Sequence, residues 1–440
     1  MKKVILVFIF LWGMSTAFSQ STLNYGFTHA SNASLTDMSS GSVNLLIPAT
    51  ETGEFVSTIA PIGFEFWLMG ICYTQFSVNS NGLMRLGKTA VTNASVNSAA
   101  NSTSNSAALY AFWDNLNAYS TSATSKVRYK VTGTVPNRVL TVEWKDFIIS
   151  NNSLDADRLS TWQVKLYETT GVFEYVYGRM QVAIGSSVVS ASIGMTYLNI
   201  NNSLIYVTSI SSPDVLRTSA GFVSNLVNTS TAGNIAGLNS YTNGSRVKYT
   251  FTPVTPTADP SNLTFSAITN NSMTLNWNDN ASNERGYVIY RSDDGGLTYN
   301  FVTQTAVNAT SSVQSALSPG TLYHWKLYAV TEGALSNPVS GNQSTNVCIG
   351  APVTNTLLFS GGVGGTVNWS TAAWSLGVPT ACQDVEIIFA STADLTATYV
   401  VNLDMPVTVN NVTIRGDYGG TGTKVLTLQT NSRSITVLGN

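Results

Sequence analysis

Apolar and polar residues alternate with period two along much of this 440-residue chain, in short runs. Phe76-Ser-Val78 leads into Asn79-Ser-Asn81-Gly82 and then Leu83-Met-Arg-Leu86, and Asn-Gly between two such runs is a strong hairpin signal. Val127, Tyr129 and Val131 alternate with polar neighbours, as do Leu140, Val142 and Trp144, with Gly133 to Asn137 turning between them. Trp162, Val164 and Leu166 repeat the pattern, and Thr169-Thr-Gly171 then turns into Phe173, Tyr175 and Tyr177. In a strand, this spacing puts one set on one face and the intervening residues on the other. Helical periodicity does not recur. Many short strands separated by turn residues predict an all-β fold of sandwich or barrel type. The Ser/Asn-rich stretch from Thr92 to Ser106 predicts a long polar loop.

Pro253-Val-Thr-Pro256-Thr-Ala-Asp-Pro260 punctuates the chain as a linker. Beyond it Leu263, Phe265 and Ile268 predict one strand and Met273-Thr-Leu275-Asn-Trp277 the next. Gly286-Tyr-Val-Ile-Tyr290, the turn Asp293-Asp-Gly-Gly296 and Pro319-Gly-Thr-Leu-Tyr323 follow. After Cys348 the texture changes. Gly361-Gly-Val-Gly-Gly365 precedes Trp369 and Trp374, Asp384-Val-Glu-Ile-Ile388 opens a series of short strands, and turns fall at Asn410-Asn411, Gly416-Asp417 and Gly419-Gly420. Short, evenly spaced strands with Asn/Gly turns predict the first coils of a parallel β-solenoid. Such a stack without a cap exposes an edge, so the natural protein is expected to continue past Asn440.

Two resemblances rest on these residues. Gly63-Phe-Glu-Phe66, Val78-Asn-Ser-Asn-Gly82, Phe112-Trp-Asp114, Leu140-Thr-Val-Glu-Trp144 and Phe173-Glu-Tyr-Val-Tyr177-Gly178 resemble the NIDO-type β domain of nidogen and bacterial surface proteins. That resemblance implies an extracellular interaction module. The stretch from about 259 to 346 resembles a fibronectin type III domain: Trp277 takes the place of that family's second-strand core Trp, and Tyr323 that of its tyrosine corner. The sandwich it implies serves many functions and names none. The expected order is a signal peptide (1–19), a NIDO-like β-sandwich (20–252), a linker (253–258), the fibronectin-like immunoglobulin-type sandwich (259–346) and the truncated solenoid (347–440).

The first 19 residues join Lys2 and Lys3, an apolar run from Val4 to Trp12 and the small-x-small site Ala17-Phe-Ser19, which is the layout of a secretory signal. A bilayer span needs about 20 apolar residues, so no transmembrane segment is expected after cleavage. Charged residues are 10% of the chain, and loss of Lys2 and Lys3 takes the net charge from −2 to −4. With 21 basic residues scattered through the chain, no basic stripe marks a nucleic-acid partner. Export places Cys72, Cys348 and Cys382 where disulfides persist. Cys348 and Cys382 bracket the start of the last segment and are expected to pair, at a gain of about 3.5–4 kcal/mol by loop entropy. Cys72, in the apolar stretch Trp67 to Phe76, is expected to be a buried free thiol.

Several motifs point to chemistry and are outweighed. Gly82-Leu-Met-Arg-Leu-Gly87-Lys88-Thr89 fits the P-loop pattern, but a P-loop opens a helix and Ala90 to Ser98 cannot form one, so neither nucleotide nor cofactor is expected. Arg415-Gly416-Asp417 matches the integrin tripeptide and also ordinary turn chemistry, which is preferred. Asp155 and Asp157 beside Asn151 and Asn152 leave a calcium question open, without the oxygens of a known loop. Trp113, Trp369 and Trp374 offer rings for sugar stacking, with core packing the preferred reading. His29 and His324 are the only histidines, too few to supply triads, and a carboxylate pair such as Glu143 with Asp114 is a candidate for glycoside cleavage.

The expectation is therefore a secreted or outer-surface adhesion or matrix-interaction protein, no enzyme over these residues, whose partner is an extracellular protein or polysaccharide. The alternative is the non-catalytic N-terminal part of a secreted polysaccharide-degrading enzyme. Export predicts a mature N-terminus at or near Gln20. Intact-mass analysis of protein from the medium should show it, and retention of Lys2 would contradict the signal reading.

Overall fold

A computed structural model describes residues 24–48, 55–94, 107–114, 116–118, 125–149, 158–182, 191–197, 204–210, 213–218, 234–350, 352–359, 365–380, 382–389, 398–404, 407–416, 425–429 and 435–437. The expected signal peptide, Asp155, Asp157 and Asp417 lie outside the described residues. Among those described, every regular element is a strand. The chain divides into two compact units. The first is Met1–Ala258 with Ala281–Gly286 and Ala329–Ser336, and the second takes Asp259–Asn280, Tyr287–Tyr328 and Asn337–Asn440.

In the first unit the strands are β1 (Tyr25–Ala33), β2 (Asn44–Ile47), β3 (Ala60–Leu68), β4 (Ile71–Val78), β5 (Leu83–Leu86), β6 (Ala108–Trp113), β7 (Asn117–Ala118), β8 (Lys126–Thr132), β9 (Val139–Ile148), β10 (Ser160–Tyr167), β11 (Phe173–Tyr177), β12 (Ser192–Thr196), β13 (Leu204–Val207), β14 (Val215–Thr218) and β15 (Arg246–Pro253). They form two sheets. One runs β1-β15-β11-β10-β9-β8-β2, with β7 also paired to β9, and the other runs β14-β13-β12-β6-β5-β4-β3. The alternating residues of β9 to β11, with Val127 and Tyr129 of β8, face one hydrophobic core that both sheets share, whereas Val131, the third alternating residue of β8, is exposed. Trp144 and Trp162 stack there at 6.0 Å, and Phe112 of the opposite sheet reaches Trp162 at 5.8 Å. Burying an aromatic or large aliphatic side chain of this kind gains about 1.5–3 kcal/mol.

The strands β1 and β15 are additions to the pattern described above. Val247, Tyr249 and Phe251 do alternate, and β15 joins β11 to β1 in antiparallel register, with Tyr25 opposite Pro253. Pro253 therefore closes a strand, and the irregular connection starts one residue later than expected. Inside this unit Arg285 and Glu332 form a buried ion pair, Arg285 Nε donating to Glu332 Oε1 at 2.9 Å, and Asn24 Nδ2 donates to the same oxygen at 2.7 Å.

The second unit opens with β16 (Ser261–Ser266), β17 (Met273–Asn278), β18 (Tyr287–Ser292), β19 (Asn300–Gln304), β20 (Ser311–Gln314), β21 (Leu322–Ala329) and β22 (Val339–Ser344). A three-stranded sheet, β16-β17-β20, and a four-stranded sheet, β19-β18-β21-β22, bury Met273, Leu275, Trp277, Tyr287, Ile289, Trp325 and Leu327. Trp277 is 4% exposed and meets Tyr287 at 5.3 Å, and the Ser318 amide donates to the Tyr323 hydroxyl at 2.8 Å.

From residue 353 the pairing changes from antiparallel to parallel. The strands are β23 (Val353–Phe359), β24 (Gly365–Asn368), β25 (Gln383–Phe389), β26 (Thr398–Asn402), β27 (Val407–Val409), β28 (Asn411–Gly416), β29 (Val425–Gln429) and β30 (Ile435–Val437). They make three ladders, β23-β25-β28, β24-β26-β29 and β27-β30, and every pairing is parallel. The chain visits the ladders in turn and returns in register, so that Leu357, Ile387 and Ile414 line up. Cys348 and Cys382 form a disulfide with Cα atoms 5.4 Å apart across 34 residues. Truncating the tryptophan at the centre of the antiparallel sandwich, Trp277→Ala, should cost about 3–5 kcal/mol through lost burial and a cavity. Urea unfolding followed by tryptophan fluorescence measures it, and a cost near zero would contradict the observed burial.

Candidate interaction surfaces

Two outward sheet faces carry organised side chains. On the eight-stranded sheet the residues between the core positions form a polar layer. Arg128 Nε donates to Glu143 Oε2 at 2.7 Å, and Gln163 Nε2 donates to Glu143 Oε1 at 2.9 Å. Further along, Glu174 accepts from Lys248 Nζ at 2.7 Å, Tyr167 Oη at 2.6 Å and Thr250 Oγ1 at 3.0 Å. Burial alone would raise the Glu174 carboxyl, but these three donors outweigh it and hold the group below its ordinary value. Burial in turn lowers the neighbouring Lys165 ammonium.

Residues 34–43 cross this layer, because β1 lies at one end of the sheet and β2 at the other. Six inter-strand steps span roughly 29 Å, and the eleven residue steps from Ala33 to Asn44 reach at most about 36–40 Å. The crossing therefore spans the sheet with slack, taken up in the bend at residues 39–42 where Gly41 has φ +83°, and side chains of the sheet read its backbone. Gln163 Oε1 accepts from the Thr36 amide at 2.8 Å, and Gln163 Nε2 donates to the Thr36 carbonyl at 2.9 Å. Lys165 Nζ donates to the Ser34 carbonyl at 3.2 Å, and Lys130 Nζ donates to the carbonyls of Asp37 and Ser40. Gln163, Glu143, Lys130 and Met38 are all buried by this arrangement.

The second face belongs to the four-stranded sheet. Tyr290 on β18 sits between Phe301 on β19 and Tyr328 on β21, with centroids 6.0 and 5.5 Å away and rings nearly perpendicular. Lys326 Nζ lies 4.1 Å from the Tyr299 ring centre, a cation–π distance. Phe301 and Leu322 are exposed, and His324 and Lys326 stand opposite Asn342 and Ser340 of β22. Rings, one ammonium and small polar groups thus share one half-exposed surface. Of the three clustered rings only Tyr290 lay within a segment singled out above, because Phe301 and Tyr328 come from two other strands.

The other candidates resolve individually. Glu143 is held by Arg128 and Gln163 on the polar face of one sheet, whereas Asp114 follows β6 of the other sheet and donates its amide to the Asn81 carbonyl at 3.2 Å. The structure does not bring that pair together. Gly82 to Thr89 contains β5, a strand where a P-loop needs a helix start. Its first residue has φ +90°, and a Cβ there would meet the Phe112 carbonyl oxygen at 2.0 Å. Trp113, Trp369 and Trp374 are buried, at 0%, 1% and 6% exposure, so none is a sugar platform. Trp374 Nε1 donates to the Trp369 carbonyl at 2.9 Å, and Trp374 bridges β23 at Leu357. Arg415 and Gly416 close β28. Asp294 accepts from the Ser292 and Thr298 hydroxyls and from the Leu297 and Thr298 amides, as a turn residue does, and these donors hold its carboxyl low.

Cys72 is free but half-buried, less enclosed than expected. Burial, reinforced by Glu65, pushes its thiol up to about 12, which makes it a poor nucleophile. Among the described residues no group of three His, Cys, Asp or Glu is placed to hold a metal, and no helix is long and apolar enough to cross a membrane. The depressed Glu174 contributes stability that is present above the ordinary carboxylate range and lost as pH falls through its folded value. Glu174→Gln should therefore lower the thermal midpoint near pH 7, with the difference from wild type closing below about pH 4. A midpoint difference independent of pH would show that the charge contributes nothing.

A NIDO-related family model matches residues 24–237, and a fibronectin type III model matches residues 258–342. Several solved structures are similar over about a fifth of the chain. The crystal structure of FN3tt is 28% identical, covering 20% of this chain and 92% of that one, with a TM-score of 0.18. A fibronectin type III domain of human collagen XX is 25% identical, covering 21% and 97%, with a TM-score of 0.19. An Fn3-like protein from Clostridium thermocellum is 22% identical, covering 21% and 98%, with a TM-score of 0.19. The match over 258–342 takes in all seven strands of the smaller sandwich, and the match over 24–237 takes in most of the larger one. The chain therefore carries a NIDO-related domain followed by a fibronectin type III domain, both of them β-sandwich modules.

Proposed function

We propose that this chain is a secreted or cell-surface adhesion or matrix-interaction protein of bacterial type, acting through its sandwich modules and without catalysis in this segment. The half-exposed ring cluster of Tyr290, Phe301 and Tyr328 carries the reading. Aromatic anchors with polar neighbours are the usual composition of a binding hot spot, and they suit a protein surface or a polysaccharide equally. The disulfide between Cys348 and Cys382 supports an oxidising location. The all-parallel ladders after residue 353 support reading that segment as coils of a β-solenoid. They also favour a second reading, in which the whole chain is the non-catalytic N-terminal part of a secreted polysaccharide-degrading enzyme.

The test is an array of extracellular matrix proteins and polysaccharides probed with the purified chain, with reducing-end release measured on the same polysaccharides. Binding to at least one class is expected, without release of reducing ends. Tyr290→Ala combined with Phe301→Ala should weaken that binding by roughly tenfold or more. Val313→Ala, at a residue 69% exposed on the other sheet, should leave it unchanged. Equal binding by both variants would remove the ring cluster from the proposal, and polysaccharide turnover would overturn the absence of catalysis.

A further inference from the structure

One continuous segment, residues 25–47, closes both edges of the eight-stranded sheet. Its first strand, β1, pairs with β15, its last, β2, pairs with β8, and the crossing between them lies over the outer face. An open strand edge is a template for another strand. Both guarding strands are poor templates themselves. The register of β1 shifts between Ala30 and Ala33, and β2 is only four residues long and shifts between Leu45 and Ile47. The strand beneath β2 is the opposite: β8 pairs with β9 over seven consecutive residues without a shift. β15 likewise offers Arg246–Pro253 for pairing.

The crossing is bound mainly through its backbone. Gln163 takes one amide and one carbonyl of Thr36, and Lys165 and Lys130 take the carbonyls of Ser34, Asp37 and Ser40. These are main-chain contacts made by side chains already fixed in the sheet, with Gln163 fully buried and tied to Glu143. The groove therefore reads a main chain, and another copy of the same segment offers it an identical set of atoms.

We propose that residues 25–47 form a separable clasp, and that the groove and the two edges beneath it are a self-association surface whose occupant in trans is the clasp of a second copy. Release opens β8 and β15 together. A released clasp satisfies the same edges on a neighbour, by the strand addition that exposed sheets undergo generally, and exchange between copies preserves every contact. The proposal stands apart from the adhesion reading, since it concerns the other sandwich and needs no external ligand.

The experiment uses the full chain with a protease recognition sequence inserted between Pro48 and Phe55. After cleavage, a fluorescent synthetic peptide of residues 24–48 is added under mildly destabilising conditions, and stoichiometry and mass are followed by light scattering after size exclusion. The expected result is uptake of one peptide per chain. The uncleaved chain, at high protein concentration under the same conditions, should form dimers or larger species that excess peptide reverses. Gln163→Leu should speed peptide dissociation roughly tenfold, from two lost main-chain contacts. If that variant fails to fold, exchange in the cleaved parent decides. A resident segment that never exchanges short of global unfolding overturns separability. A segment that leaves while the chain stays monomeric and takes up no peptide overturns the association surface.

Discussion

The larger sandwich depends on apolar layers brought together from two sheets, and the tryptophan pair on β9 and β10 lies at their centre. Trp144 and Trp162 lie nearly parallel, and Phe112 and Phe147 close on Trp162. A second stack, Phe173 on Phe251 at 4.6 Å, ties β11 to β15. Because side chains alternate across a strand, committing these rings inward commits Glu143, Gln163, Lys165 and Glu174 outward. The polar layer is a geometric consequence of the core, and its charges then need partners. They find them in one another and in the crossing of residues 34–43.

The hairpin at Asn79 to Gly82 shows the same economy in backbone terms. Asn79 Oδ1 accepts from the Leu83 amide, Asn81 Oδ1 accepts from the Leu116 amide, and Trp144 Nε1 donates to the Asn79 carbonyl, all away from water. Buried backbone groups must be paired, and here short amide side chains supply partners that strand pairing does not reach. Gly82 lets the turn lie against β6. Chemistry that reads as a phosphate loop in one dimension serves turn closure in three.

The second unit holds two solutions to the burial of short strands. In residues 261–344 antiparallel strands alternate inward and outward, so two sheets share one core. In residues 353–437 each ladder grows by parallel addition, and residues repeat in register down the ladder, as Leu357, Ile387 and Ile414 do. The first two are buried and Ile414 is 52% exposed. Trp369 and Trp374 belong to the core at the β23 side, where the Ser375 amide donates to the Thr356 carbonyl.

Strand identity in the hairpins around Gly82, Pro136 and Gly171 was legible from alternation, because burial on one face leaves a period-two record. So was the pairing of Cys348 with Cys382, the two cysteines bracketing the final segment. The role of Glu143 was not legible. Its spacing suits a catalytic carboxylate as well as a paired one, and only the neighbouring strands supply Arg128 and Gln163. The ring cluster around Tyr290 was hidden for a related reason: Phe301 and Tyr328 become its neighbours only when β19 and β21 flank β18. The double edge closure by residues 25–47 was hidden most deeply. Local alternation records which face of a strand is buried, whereas strand order is decided by pairings between residues far apart in sequence.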